Sequence, residues 1–416
     1  MNNIMKYGVI GEHLKHSFSK EIHEKIAAYT YDICEVSRDN LDAFMKKAEF
    51  SGINVTIPYK ETVIPYLDSI SDTVRSIGAV NTVVKKDGKL SGYNTDFFGL
   101  SSLIKKMGLS LESKKVAILG TGGTSKTAMA VALSQKASQI YRVSRGAKEN
   151  SLTYEELYEK HGDTQIIINT TPAGMFPNWD NTPVDVSRFG LLEGVVDVVY
   201  NPLNTKLVQE AKSRGIKAEC GLYMLVAQAV KASEIFLDTK YPQDLIDKIY
   251  SEILQPKRNI VLTGMPGSGK TTVGKLLSSM LNMQVIDSDA EIEKREGRSI
   301  SEIFESDGEE YFRKAEAEVL AELGARNHVI ISTGGGAVLR PENIMAMKQN
   351  GRVYFIDRPV SELLPTSDRP LAQTADAIRK RYAERYGIYV STSDVIIKAD
   401  AGAEDTAIKI IEDFKK

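Results

Sequence analysis

Asn259-Ile-Val-Leu-Thr-Gly-Met-Pro-Gly-Ser-Gly-Lys-Thr-Thr272 has the form G-x-x-x-x-G-K-T, with Gly264, Gly269, Lys270 and Thr271 at the fixed positions. Ile260–Leu262 leads in as a buried strand, and Val273–Leu281 leads out with the spacing of an amphipathic helix. Such a loop wraps nucleotide phosphates in backbone N–H groups, sends its lysine to the β/γ oxygens and offers its threonine hydroxyl to Mg²⁺. Gly267, Ser268, Gly269, Lys270, Thr271 and Thr272 are its expected ATP contacts. A nucleotide-binding domain begins near its own loop, so the long stretch upstream must be something else.

The totals agree with several domains. A chain of 416 residues is long enough for two or three. It is 42% hydrophobic and 26% charged with a net charge of −2, an ordinary α/β composition. That balance gives no bulk attraction to nucleic acid or to a membrane surface, and neither partner is expected. Cys34 and Cys220 cannot build a disulfide framework and fit a reducing, cytoplasmic setting. The start of the chain lacks a signal-peptide pattern, and no run is long enough to span a bilayer. A monomer or homodimer acting on small molecules is the expectation.

A boundary falls at Gln255-Pro-Lys-Arg258, after a helical stretch from Pro242 to Leu254. Beyond it, Val329–Ser332, Val353–Ile356 and Asp394–Ile397 read as buried strands, and Glu404–Phe414 as a closing helix. Before it, Lys115–Gly120 reads as a strand, Thr121–Ser125 as a glycine turn and Lys126–Leu133 as the helix it opens. That arrangement seats a pyrophosphate on a helix N-terminus, although a glycine turn alone also serves purely structural ends. Strands at Gln139–Val143, Gln165–Asn169 and Val195–Val199 continue the alternation. The strand Gln139–Val143 ends in Ser144-Arg145, where an NAD site would want a carboxylate; a guanidinium suits a 2′-phosphate, so NADP is preferred. Strands at Tyr7–Ile10, Ile53–Ile57 and Ala79–Val84 form a separate layer in front.

That front layer carries polar clusters. They are His16-Ser17-Phe18-Ser19, Asn54-Val-Thr-Ile-Pro-Tyr-Lys60, Gly78-Ala-Val-Asn-Thr82 and Asn94-Thr-Asp96. Singly, each could be turn or cap chemistry. Together with Gly120-Thr-Gly-Gly123, Asn169–Met175 and Tyr223–Gln228, they make about residues 5–250 resemble shikimate dehydrogenase. The resemblance implies a substrate-binding α/β domain joined to a Rossmann domain that takes NADP. It implies that Ser17, Ser19, Thr56, Asn81, Tyr200 and Gln228 hold the ring hydroxyls and carboxylate, and that Lys60 and Asp96 form the catalytic pair. Gly120, Thr121, Gly122, Gly123, Thr124, Ser125, Ser144 and Arg145 would carry NADP, with Asp72, Val198 and Gly221 at the nicotinamide end. Ser144-Arg145-Gly146 stands where relatives often have Asn-Arg-Thr.

Downstream of the phosphate loop lie Asp287-Ser-Asp289, Gly308-Glu-Glu-Tyr-Phe-Arg-Lys-Ala-Glu316, Gly334-Gly-Gly336, Arg369-Pro-Leu371 and Arg385-x-x-x-Tyr389. With the loop, they make about residues 258–416 resemble shikimate kinase. The resemblance implies a P-loop α/β domain with a parallel sheet. Arg313 and Arg385 would grip the shikimate carboxylate, and Asp289 and Gly335 would bind the ring. Asp289, Lys270 and Arg369 would be catalytic, Arg369 also touching ATP, with Thr271 and Asp287 serving Mg²⁺. The run-in Leu363–Asp368 to the lid arginine is short.

The implied domains are residues 1–100 for substrate (completed by helices near 230–254), 101–230 for NADP and 257–416 for the kinase. The implied chemistry is consecutive: 3-dehydroshikimate is reduced to shikimate with NADPH, and shikimate is then phosphorylated by Mg·ATP. A rival keeps the folds and changes the substrates to quinate and another small molecule. A second rival is a regulatory sensor with one silent site, which intact Lys60, Asp96, Lys270 and Asp289 argue against.

Overall fold

The computed structural model describes residues 6–14, 18–146, 150–363 and 375–415, the side chains of residues 375 and 377 excepted. The chain divides into two compact units, Met1–Ile253 and Leu254–Lys416.

The first unit holds two sheets. One comprises β1 (Tyr7–Gly11), β2 (Asp32–Glu35), β3 (Gly52–Val55), β4 (Ser69–Ile70), β5 (Thr82–Lys86) and β6 (Lys89–Tyr93), ordered β2-β1-β3-β5-β6-β4. β5 and β6 form a hairpin on Asp87-Gly88, both at positive φ. An Asp-Gly pair makes such a turn because it tolerates that backbone region. The predicted strand at Ala79–Val84 therefore starts later, at Thr82. Ala79–Asn81 is instead a loop, which frees the Asn81 side chain to point at neighbouring loops.

The other sheet comprises β7 (Lys115–Leu119), β8 (Gln139–Val143), β9 (Ile166–Asn169), β10 (Gly194–Asp197) and β11 (Lys217–Glu219), all parallel in the order β11-β10-β9-β7-β8. Strands buried on both faces need continuous apolar runs, and Ile166-Ile-Ile168 supplies one. The helix after β7 spans Gly123–Ser134, three residues earlier than the sequence predicts, because it opens inside the glycine turn. The helix Asp96–Lys106 packs along the helix Leu222–Leu237, which also meets the helix Ser19–Ile26 of the first layer.

The second unit has one five-stranded parallel sheet. β12 (Asn259–Thr263), β13 (Gln284–Asp287), β14 (Val329–Ser332), β15 (Gly351–Asp357) and β16 (Val395–Lys398) run in the order β13-β14-β12-β15-β16. β12 is central and buried throughout, so the phosphate loop leaves from the middle of the sheet. The ends of β13 and β14 lie beside it. Ligands of open α/β sheets bind at this carboxyl edge. Among the described residues, no helix is long and apolar enough to cross a membrane.

Candidate active sites

In the first unit, Lys60 Nζ lies 2.5 Å from Asp96 Oδ2. The two side chains are only 14% and 11% exposed, so the pair is shielded from water without being sealed. Asp96 opens its helix and is held from the other side by Asn81 Nδ2, which donates to Oδ1 at 2.9 Å. The same Asn81 amide donates to Thr95 Oγ1 (3.0 Å), while its Oδ1 accepts from the Thr95 N–H (2.7 Å). Thr95 Oγ1 in turn donates to Gln228 Oε1 at 3.4 Å. Four residues singled out from sequence, Lys60, Asp96, Asn81 and Gln228, are thus one hydrogen-bonded cluster.

Behind the cluster runs a chain of buried groups that the sequence reading did not assign. Tyr31 Oη donates to Asn54 Oδ1 at 2.6 Å, and Asn54 Nδ2 donates to Thr82 Oγ1 at 3.0 Å. Thr82 Oγ1 donates to Asn81 Oδ1 at 3.1 Å. His23 stacks on Tyr31 at 3.9 Å. Its full burial pulls its pKa down to about 3, so the ring is neutral. The signal for part of this was present: Asn54 and Thr82 sit inside the quoted motifs, facing each other across β3 and β5.

The remaining predicted residues lie around this core. Thr56 follows β3, its backbone N–H bonded to Ile10 O at 3.0 Å. Ser19 begins the helix Ser19–Ile26 beside Phe18, whose ring lies 5.2 Å from that of Tyr200. Val198 follows β10, and Gly221 lies against its backbone at the start of Leu222–Leu237. The Asp72 carboxylate is 98% exposed and paired with Arg75, and Asp72 lines a pocket with Lys126 and Met129 of the helix Gly123–Ser134. Ser17 lies outside the described residues.

The glycine turn faces the pair directly. A Cβ on Gly123 would sit 3.6 Å from Lys60 Cδ. Gly120 adopts φ +108°, and any Cβ there would meet Thr170 Oγ1 at 2.7 Å, at the point where the strand order reverses between β7 and β9. Gly122 caps the helix Gly123–Ser134 without a side chain, leaving first-turn N–H groups for an anion. The turn also carries Thr121 and Thr124, both half-buried. Ser125 Oγ is buried with no partner among the described residues. Arg145 is exposed beyond β8, and Ser144 Oγ donates to Gly146 O and meets Ser151 Oγ at 3.0 Å. An open turn, an unpartnered hydroxyl and a guanidinium at the next strand end fit a phosphorylated dinucleotide.

In the second unit, Gly264 takes φ +147°; a Cβ there would meet Ile356 O and Ser268 Oγ, both at 2.8 Å. Lys270 opens the helix Lys270–Leu281 and donates to Gly264 O (2.8 Å) and Met265 O (3.0 Å) of its own loop. Gly267, Thr271 and Thr272 are exposed, Gly269 is half-buried, and Ser268 Oγ is buried without a partner among the described residues. That donor set fits a triphosphate.

Next to the loop is a cavity of about 580 Å³, lined among others by Asp287, Asp289, Arg313, Gly335 and Arg385. It is of small-molecule size. Asp287 ends β13 and its Oδ1 accepts from the Asp289 N–H at 3.0 Å, so it caps the helix Ser288–Glu296 while lining the cavity. The Asp289 carboxylate lies against Gly334. Arg313 donates to Glu316 Oε2 (2.9 Å) and Glu309 Oε1 (3.0 Å). Burial raises the Glu316 pKa, with the Arg313 charge opposing. Arg385 Nη1 donates to Gly335 O at 2.9 Å, and Tyr389 Oη to the same oxygen at 2.6 Å. The spacing of Glu309, Arg313 and Glu316 along the helix Gly308–Ala325 was the signal for that ion-pair cluster. Arg369 and the stretch Pro370-Leu371 lie outside the described residues.

Known proteins match both units. The family model for the shikimate dehydrogenase substrate binding domain matches residues 9–83, and that for shikimate kinase matches 266–415. The shikimate dehydrogenase (NADP(+)) of Clostridium beijerinckii is 38% identical over 262 residues, 59% of this chain and 96% of that protein. Shikimate dehydrogenase 1 of Peptoclostridium difficile is 37% identical with a TM-score of 0.55, covering 60% of this chain and 97% of that one. A chorismate mutase/shikimate 5-dehydrogenase fusion protein from Clostridium acetobutylicum is 34% identical with a TM-score of 0.56, covering 60% of this chain and 97% of that one. Fold and sites thus define the class: a Rossmann-type oxidoreductase joined to a P-loop kinase. The chain belongs to the shikimate dehydrogenase family, and its C-terminal unit carries a shikimate kinase domain.

Proposed function

We propose that this chain is a bifunctional enzyme that reduces 3-dehydroshikimate to shikimate and then phosphorylates shikimate to shikimate 3-phosphate. One observation carries the reading: each unit brings charged residues together in a site, and their families share one cyclic acid as product and substrate. The first sheet, with helices near 230–254, serves as the substrate domain. Residues 101–230 take NADP, and residues 257–416 form the kinase. The free cysteines Cys34 and Cys220 suit a cytoplasmic enzyme.

NADPH, when bound along Gly120–Ser125, Ser144 and Arg145, supplies hydride to the ketone carbon. Asp72, Val198 and Gly221 belong to the nicotinamide end. The Lys60 ammonium gives its proton to the ketone oxygen and stabilises the alkoxide as it forms. Asp96, fixed by Asn81, keeps Lys60 aimed. Ser19, Thr56, Asn81, Tyr200 and Gln228 orient hydroxyls and carboxylate.

In the kinase unit, Gly267–Thr272 cradle the ATP phosphates and Lys270 leaves its loop carbonyls for the β/γ oxygens. Thr271 and Asp287 would hold Mg²⁺, which neutralises phosphate charge. Asp289 accepts the proton of the shikimate hydroxyl as that oxygen attacks the γ-phosphorus and ADP leaves. Arg313 and Arg385 grip the carboxylate, and Gly335 frames the ring.

The test is substrate choice. Purified chain given NADP⁺ should oxidise shikimate faster than quinate, followed by NADPH formation. Faster turnover of quinate would overturn the substrate assignment.

A further inference from the structure

The kinase cavity holds a guanidinium with no assigned role. Arg381 lies on the helix Ala375–Thr392, one turn before Arg385, and lines the same cavity. Residues four apart share a helix face, and both of these line the cavity. Their partners differ. Arg313 is balanced by the carboxylates of Glu309 and Glu316. Arg385 donates to a backbone oxygen, Gly335 O, and neighbours the Tyr389 hydroxyl, with no carboxylate on it among the described residues. Arg381 Nη1 is buried and has no hydrogen-bond partner among the described residues. Neither Arg381 nor Arg385 has an ion pair among them. Burial, and then the Arg385 charge, pull the Arg381 pKa below the ordinary arginine value, with Glu384 and Glu309 opposing.

Two like charges share one wall of a partly enclosed cavity, and a buried donor stands idle. That arrangement costs free energy unless an anion completes it. ATP phosphates belong to the loop at Gly264–Thr272. Arg313, Arg381 and Arg385 line one cavity, and Arg313 and Arg385 are the residues that the kinase reading gives to an acid's carboxylate.

We propose that Arg381 is a third guanidinium for the substrate carboxylate, acting with Arg313 and Arg385. The inference rests on the kinase reading above. It adds a specificity element: preference for a carboxylate over a neutral group of the same shape.

The test uses the full chain without NADP(H), with ADP release as the readout. Shikimate is compared with its carboxamide, in wild type and in Arg381→Gln and Arg381→Lys. Losing one charge-assisted bond to a buried group costs roughly tenfold to a hundredfold in binding. Arg381→Gln should raise KM for shikimate by that factor and leave KM for the carboxamide and for ATP within about twofold. Arg381→Lys should recover part of the loss. Equal losses for acid and carboxamide would show a bracing role and overturn the proposal, as would a change confined to KM for ATP. Unaltered kinetics would overturn it too. A wild-type chain inert toward shikimate would instead remove the kinase reading itself.

Discussion

Lys60 Nζ and Asp96 Oδ2 stand 2.5 Å apart at the mouth of a glycine turn, and Asp96 is gripped on its other oxygen by Asn81. The ammonium is thereby fixed by a group that is itself fixed. Lys60→Met should lower ketone reduction by about 10²–10⁴-fold, the usual weight of a positioned proton donor. Steady-state NADPH oxidation measures it. ATP consumption with shikimate should stay at the wild-type rate, because the kinase site is built in the other unit.

Asn54 links Tyr31 to Thr82 and so to Asn81 and Asp96. Asn54→Ala would leave the buried Tyr31 hydroxyl without its acceptor, at about 1–3 kcal/mol. The expected result is a lower denaturation midpoint for the dehydrogenase unit and a kcat loss larger than the KM change. A kcat unchanged at full folding would show that the buried chain does not position Asp96.

His23 gives a pH dependence. Unfolded, it takes up a proton near its ordinary value of 6.5; folded, it stays neutral down to about 3. Its pKa is depressed in the fold, so the associated stability is full above about pH 6.5 and drains as pH falls toward 3. The slope is at most about 1.4 kcal/mol per pH unit. His23→Gln should flatten that part of the curve, seen in urea unfolding at about pH 7 and about pH 5.

Arg145 is the cation offered to a 2′-phosphate. Arg145→Ala should raise KM for NADPH by roughly tenfold to a hundredfold and change KM for NADH far less. The ratio of the two kcat/KM values is the readout.

The two phosphate turns and the parallel sheets were legible because each rests on a local rule: strand, glycine turn, helix. Asn259–Thr263 followed by Gly264–Lys270 admits little else. The motif residues Lys60, Asn81, Asp96 and Gln228 were legible as types, but not as one cluster. Their contacts join residues far apart in the chain, and loop closure of that kind leaves no periodicity. Tyr31 and His23 were invisible for the same reason: apolar-looking neighbours gave no sign that Asn54 needed a donor. The hairpin turn at Asp87-Gly88 was readable from its dipeptide and would have set the strand start at Thr82. Arg381 was obscured because a lone arginine on a helix is usually a solvated charge; only the cavity around it shows otherwise.

The most direct test supplies purified chain with 3-dehydroshikimate, NADPH, ATP and Mg²⁺, and identifies the product by mass while both cosubstrates are followed. The account predicts shikimate 3-phosphate, with NADPH and ATP consumed in equal amounts. NADPH oxidation with no phosphorylated acid, or ATP use that does not depend on the reduced product, would contradict it.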